Sequence, residues 1–146
     1  MPILAGQIVT AGQLNRMQPR VEAAGASAAL TATTTYELIP GCSIPLTTQA
    51  PGATYSAIAV FDCSVTTAHA TNLMVGRLVV DGSPQNGLAI HAMDTLDRDT
   101  VTMVWSGTLP AAGSHTLHLE GVINAAGGAG LFHINSRFTV TLTEVV

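Results

Sequence analysis

Five histidines, nine carboxylates and two cysteines are the residues of this 146-residue chain with the most chemistry to offer. A zinc site would need three or four of them to converge. His115 and His118 stand three apart, and on a strand that spacing sends the rings to opposite faces, where they cannot share an ion. His69, His91 and His133 stand alone, with no carboxylate or cysteine at a ligand spacing. Calcium asks for several oxygens from one loop, and Asp94, Asp97 and Asp99 with Asp81 supply some. Yet Asp94-Thr95-Leu96-Asp97-Arg98-Asp99 lacks the glycine and the closing glutamate of a helix–loop–helix site, and Arg98 repels a cation, so the segment reads as a solvated turn. Cys63 lies in an apolar run, where a thiol is inert. With Cys42 it reads as a pair of buried thiols, able to form one disulfide at most. There is no Gly-x-Ser-x-Gly elbow, and Gly127-Gly128-Ala129-Gly130 is followed by neither Lys-Ser/Thr nor a helix, which excludes a phosphate loop. The expectation is a protein that is not an enzyme and holds no metal or cofactor.

The elements that would position these residues are strands. Apolar residues make up 47% of the chain, but only six are aromatic, and charge is 10% against about 25% for ordinary soluble domains. A chain so poor in charge takes its polar surface from Thr and Ser, or covers surface with partners. From Leu30 onward, short alternating runs are separated by turn signals: Tyr36 to Ile39 before Pro40-Gly41, Ser43 to Thr48 before Ala50-Pro51-Gly52, Leu73 to Val80 before Asp81-Gly82. Leu88 to Met93, Thr100 to Leu109, His115 to Glu120 and Leu131 to Ile134 follow, and the last strand sends Phe138, Val140 and Leu142 inward. Thr54 to Thr66 carries apolar residues on both sides, Tyr55, Ala57, Phe61, Cys63 and Val65 on one and Ile58 and Val60 on the other, which predicts burial of both faces. The fold class is therefore all-β, an antiparallel sandwich of about eight strands, over residues 28–146.

Residues 1–27 read as a separate arm. Thr10-Ala11-Gly12-Gln13 matches a helix-start box, and a short helix can run to Met17 or Gln18 before Pro19 stops it. Ile8, Leu14 and Met17 give it an apolar stripe, but a helix this short needs something to pack on. Ala23 to Ala29 reads as a small-residue linker. The net charge of −4 and five scattered arginines exclude a nucleic-acid footprint. The apolar stretch Gly121 to Ile134 is shorter than the roughly 20 residues of a membrane span, and Met1-Pro2-Ile3-Leu4-Ala5-Gly6-Gln7 lacks a secretory pattern. These features predict assembly in a cytoplasm, with no membrane partner.

Two resemblances sharpen this. Leu109-Pro110-Ala111-Ala112-Gly113-Ser114-His115-Thr116-Leu117 and Ser136-Arg137-Phe138-Thr139-Val140-Thr141 resemble the last two elements of tumour-necrosis-factor and C1q jelly rolls, though with fewer aromatics. Pro2 to Pro19 looks like the openings of virion proteins from tailed phages of actinobacteria. That likeness implies a capsid decoration or accessory subunit, a homotrimer located in the virion, whose arm contacts the major capsid protein or another virion protein. The expected arm contacts are Ile3, Leu4, Ile8, Leu14, Arg16, Met17 and Arg20, with Leu131, Phe132 and His133 at a seam between subunits. The alternative is a tail or receptor-binding module that recognises host carbohydrate.

Overall fold

The computed structural model describes residues 8–145, so Ile3 and Leu4 lie outside the described residues. Among the described residues the first element is a short helix, α1 (Ala11–Met17), followed by β1 (Arg20–Gly25), β2 (Leu30–Thr31), β3 (Glu37–Thr48), β4 (Ala53–Thr67) and β5 (Leu73–Val80). It continues through β6 (Ser83–Pro84), β7 (Ala89–Ala92), β8 (Arg98–Leu109), β9 (Gly113–Ile123), β10 (Ala129–Phe132) and β11 (Arg137–Thr143). Every strand pair is antiparallel.

Two sheets form an antiparallel sandwich, as the alternation predicts, and it is a jelly roll, as the resemblance implies, with eleven strands where about eight are expected. In the first, the order is β1–β11–β4–β8, with β10 following β11 along the same side of β4 and β2 outside β10. In the second, the order is β3–β9–β5, with β7 and β6 sharing the far side of β5. Because the short segments share places, each sheet is four strands wide.

Two segments differ from the sequence reading. The Pro40-Gly41 pair does not end a strand. It makes a bulge inside β3, where the register with β9 shifts between Leu38 and Ser43 and Gly41 takes φ +85°. A side chain on Gly41 would sit 2.7 Å from the Gly25 carbonyl, so the close approach requires glycine. The start of the expected linker is also strand: Ala23 to Gly25 belong to β1, in which Arg20 to Gly25 pairs residue for residue with Leu142 to Arg137. Ala and Gly offer little apolar alternation there, and backbone pairing with β11 supplies what side chains do not.

The core packs around a glycine recess. Gly76 of β5 and Gly121 of β9 are direct cross-strand partners on the inner side of the second sheet. A Cβ on Gly76 would overlap the Phe61 ring, and one on Gly121 would overlap the Phe132 ring. The paired glycines thus admit both rings, which meet edge-on at 6.1 Å and 70°. Phe132 is fully buried in this cluster, which removes it from the expected seam between subunits.

Candidate assembly surfaces

Strand alternation builds the first surface. Residues of β4 that do not face the core project from the outside of the first sheet, and their register partners project beside them. One row across the sheet reads Val21, Thr141, Ser56 and Ser106; the next reads Ala23, Thr139, Ile58 and Val104; a third reads Gly25, Arg137, Val60 and Thr102. Across these twelve positions Arg137 is the single charge. Val21, Ile58 and Val104 are exposed at 64%, 52% and 55%. Below them Thr54, Ser56, Ser106, Thr108, Thr141 and Thr143 line a shallow hollow of about 450 Å³. The double-sided apolar pattern of β4 is therefore real, but no part of the described chain covers its outer side.

The outside of the second sheet holds an apolar hollow of about 400 Å³, lined by Tyr36, Leu73, Val75, Leu88, Ile90 and Val122 among others. Arg77 closes one flank: its guanidinium lies 3.5 Å above the Tyr36 ring and 2.7 Å from Glu120. His118 shares Glu120 at 3.1 Å. Burial works to raise the Glu120 carboxyl, but the bonds from Arg77 and His118 outweigh it and hold the group below its ordinary value.

At one end of the first sheet, Arg98 grips buried Asp62 with two bonds of 2.8 and 2.7 Å, and Asn135 donates to the same carboxylate at 2.8 Å. The Arg98 guanidinium is the main reason that Asp62 lies below the usual carboxylate range. Beside it Ser64 Oγ and His133 Nε2 are 2.6 Å apart. This pair has the spacing of a nucleophile and base, but a base also needs its other nitrogen oriented, and among the described residues no side chain engages His133 Nδ1.

The remaining histidines and thiols serve the fold. His115 points inward and His118 outward, as their spacing requires. The His115 ring bridges Asp81 at 2.6 Å and the Ala111 carbonyl at 3.1 Å, tying two turns together. His91 meets Asp97 at 3.0 Å. Asp81 lies 34 residues before His115, so spacing in sequence could not reveal that pair, whereas Asp97 follows His91 by only six residues. Among the described residues no group of three metal-ligating side chains exists. Cys42 and Cys63 are free and buried, and burial pushes their thiols up to about 11 and about 12.

The arm residues are not brought into one site with Leu131 and His133. The Thr10–Gln13 capping box forms as expected, yet α1 buries none of its residues. Ile8, Leu14 and Met17 are exposed at 90%, 54% and 47%. Arg16 is half-buried, and Arg20 is anchored to Glu144 at 3.1 Å and to the Thr47 carbonyl at 2.6 Å. Arg20 thus holds the start of β1 to the body, while the helix ahead of it presents its apolar stripe outward. Leu131 and His133 are half-buried at the opposite edge of β4 from β8.

No family model matches the chain, and no curated protein matches it. Among solved structures it is similar to dimeric latent PorU from Porphyromonas gingivalis, at 8% identity and TM-score 0.55 over 86% of this chain and 13% of that one. It is also similar to the globular domain of zebrafish complement 1qA protein, at 12% identity and TM-score 0.50 over 88% of this chain and 98% of that one. The chain spans about an eighth of PorU and nearly all of the complement domain. At these identities the likeness is one of architecture, and the architecture is the jelly-roll sandwich.

Proposed function

We propose that this chain is a structural, non-catalytic subunit of a virus particle, a decoration or accessory protein of a tailed-phage head that assembles as a homotrimer. The observation that carries this reading is the patch of twelve outer-face positions on the first sheet that holds a single charge, in which Ile58 and Val104 are half-exposed cross-strand partners. A soluble monomer gains nothing from such a row, whereas an interface core depleted of charge is the common pattern of assembled subunits. The half-exposed Val21, Ile58 and Val104 would each contribute about 1 kcal/mol on full burial. The exposed stripe Ile8, Leu14 and Met17 then serves the major capsid protein or another virion protein, with Arg16 as a polar contact. A helix of this length gains stability by docking.

The carbohydrate-binding alternative lacks an available aromatic platform among the described residues. Trp105 is buried with its indole N–H donated to the Gly87 carbonyl at 3.0 Å, and Tyr36 is covered by Arg77. The test is the mass of the full chain in solution, followed by sedimentation with particles that lack it. A trimer that co-sediments supports the reading. Protein deleted of residues 1–17 that still decorates particles removes the anchoring role of the arm.

A further inference from the structure

An edge strand presents unpaired N–H and C=O groups, and a long plain one pairs with a strand of another chain. The two sheets guard their long edges unequally. β3 carries Pro40 and Pro45, and its bulge breaks the register with β9. β8 has neither defence. It pairs with β4 over twelve residues without a register shift, and Thr100 to Leu109 holds no proline and no charge. The Thr100 N–H donates to the Asp99 carboxylate at 2.7 Å. Among the described residues, the groups of Val101 to Thr108 that point away from β4 meet no backbone partner.

We propose that β8 is a strand-pairing edge whose partner is β8 of a second copy, antiparallel across a two-fold axis. Such a contact uses the same patch on both copies. The charged ends separate in this arrangement, because Arg98 and Asp99 lie opposite the uncharged Leu109–Pro110 end of the other strand. Arg98 is in addition already gripped by Asp62. Thr102, Val104 and Ser106 then stand beside the same residues of the second copy, and cross-strand pairs of this kind are favourable. The uncharged run is about 33 Å long at 3.3 Å per residue, ample for a continuous ladder. This contact rests on the self-assembly reading and adds to it: the sheet face closes a trimer, and the edge joins one trimer to the next, as a protein bridging neighbouring positions on a shell requires.

Amide exchange on the full chain tests the edge directly. At associating concentrations, protection is expected to be continuous from Val101 to Thr108. On dilution to the protomer, every second amide should exchange at least tenfold faster. Thr102→Pro and Met103→Pro act on opposite sides of the strand, since successive N–H groups alternate. One should lower Tm by breaking the bond to β4; the other should keep Tm and stop assembly at the trimer. Ile58→Glu, on the face and away from the edge, should leave a dimer. If every second β8 amide exchanges freely while the protein is associated, the edge pairing is overturned and the face reading stands. If Ile58→Glu leaves the mass unchanged while an edge variant lowers it, the face reading fails and the edge stands. A chain that is monomeric at every concentration overturns both.

Discussion

Ile58 and Val104 stand directly opposite each other on the outside of β4 and β8, and each leaves more than half of its surface in water. A cross-strand pair of β-branched apolar residues is a packing unit that ordinarily faces other side chains. Here the two continue through Thr139 to Ala23 as a row without charge, and the proposed interface rests on that row.

Replacing both by threonine keeps the β-branched shape and removes apolar area. Ile58→Thr with Val104→Thr is expected to weaken self-association by at least tenfold while leaving the Tm of the protomer within a few degrees. Sedimentation equilibrium and thermal unfolding of the same sample measure both. Loss of protomer stability with association unchanged would count against the face as an interface.

The glycine recess yields a second expectation. Gly121→Ala places a methyl group where the Phe132 ring lies, and strand backbone leaves it little room to shift. Overpacking of this kind costs about 1–3 kcal/mol. Urea unfolding should show that loss, and a smaller side chain in Phe132→Leu should make the second substitution cheaper in a double-mutant cycle. Additive losses would mean that the recess and the ring are not coupled.

Much of this was legible in the residues. The strands β8, β9 and β11 follow from clean alternation, β5 from an apolar run that ends at Asp81-Gly82, and α1 from its capping box. What stayed hidden depends on partners distant in sequence. Phe132 is expected at a seam between subunits, and only the Gly76–Gly121 pair of the facing sheet gives its ring a place in the core. β1 looked like a linker because its stability comes from the ladder to β11. The two-sided pattern of β4 predicts burial of both faces, but within the protomer Ile58 on its outer side stays 52% exposed.

The thiols offer a simple check on the core. With Cys42 held at about 11 and Cys63 at about 12, and both in apolar surroundings, neither forms thiolate at pH 8. Folded protein should leave a thiol reagent such as DTNB unconsumed, and the same protein in guanidinium should consume two equivalents. Rapid reaction of either cysteine in the folded state would show that the sandwich opens there.

Acid should weaken the fold through three carboxylates. The Arg98 guanidinium, aided by Asn135, holds Asp62 low. At Asp81 burial pushes upward, but hydrogen bonds from His115 and the Thr116 N–H prevail and the net shift is downward. Glu120 is low for the like reason, through Arg77 and His118. A carboxylate with a depressed folded pKa stabilises the native state above its unfolded value, near 3.9 for Asp and 4.3 for Glu. That contribution disappears as pH falls through the folded value. Tm should therefore drop on acidification below about pH 4, as these groups bind protons on unfolding. Asp62→Asn keeps the shape but forfeits the charge facing Arg98, so it should lower Tm at neutral pH and flatten the decline in acid. An acid decline of unchanged steepness in that variant would mean that the Asp62–Arg98 grip does not couple protonation to stability.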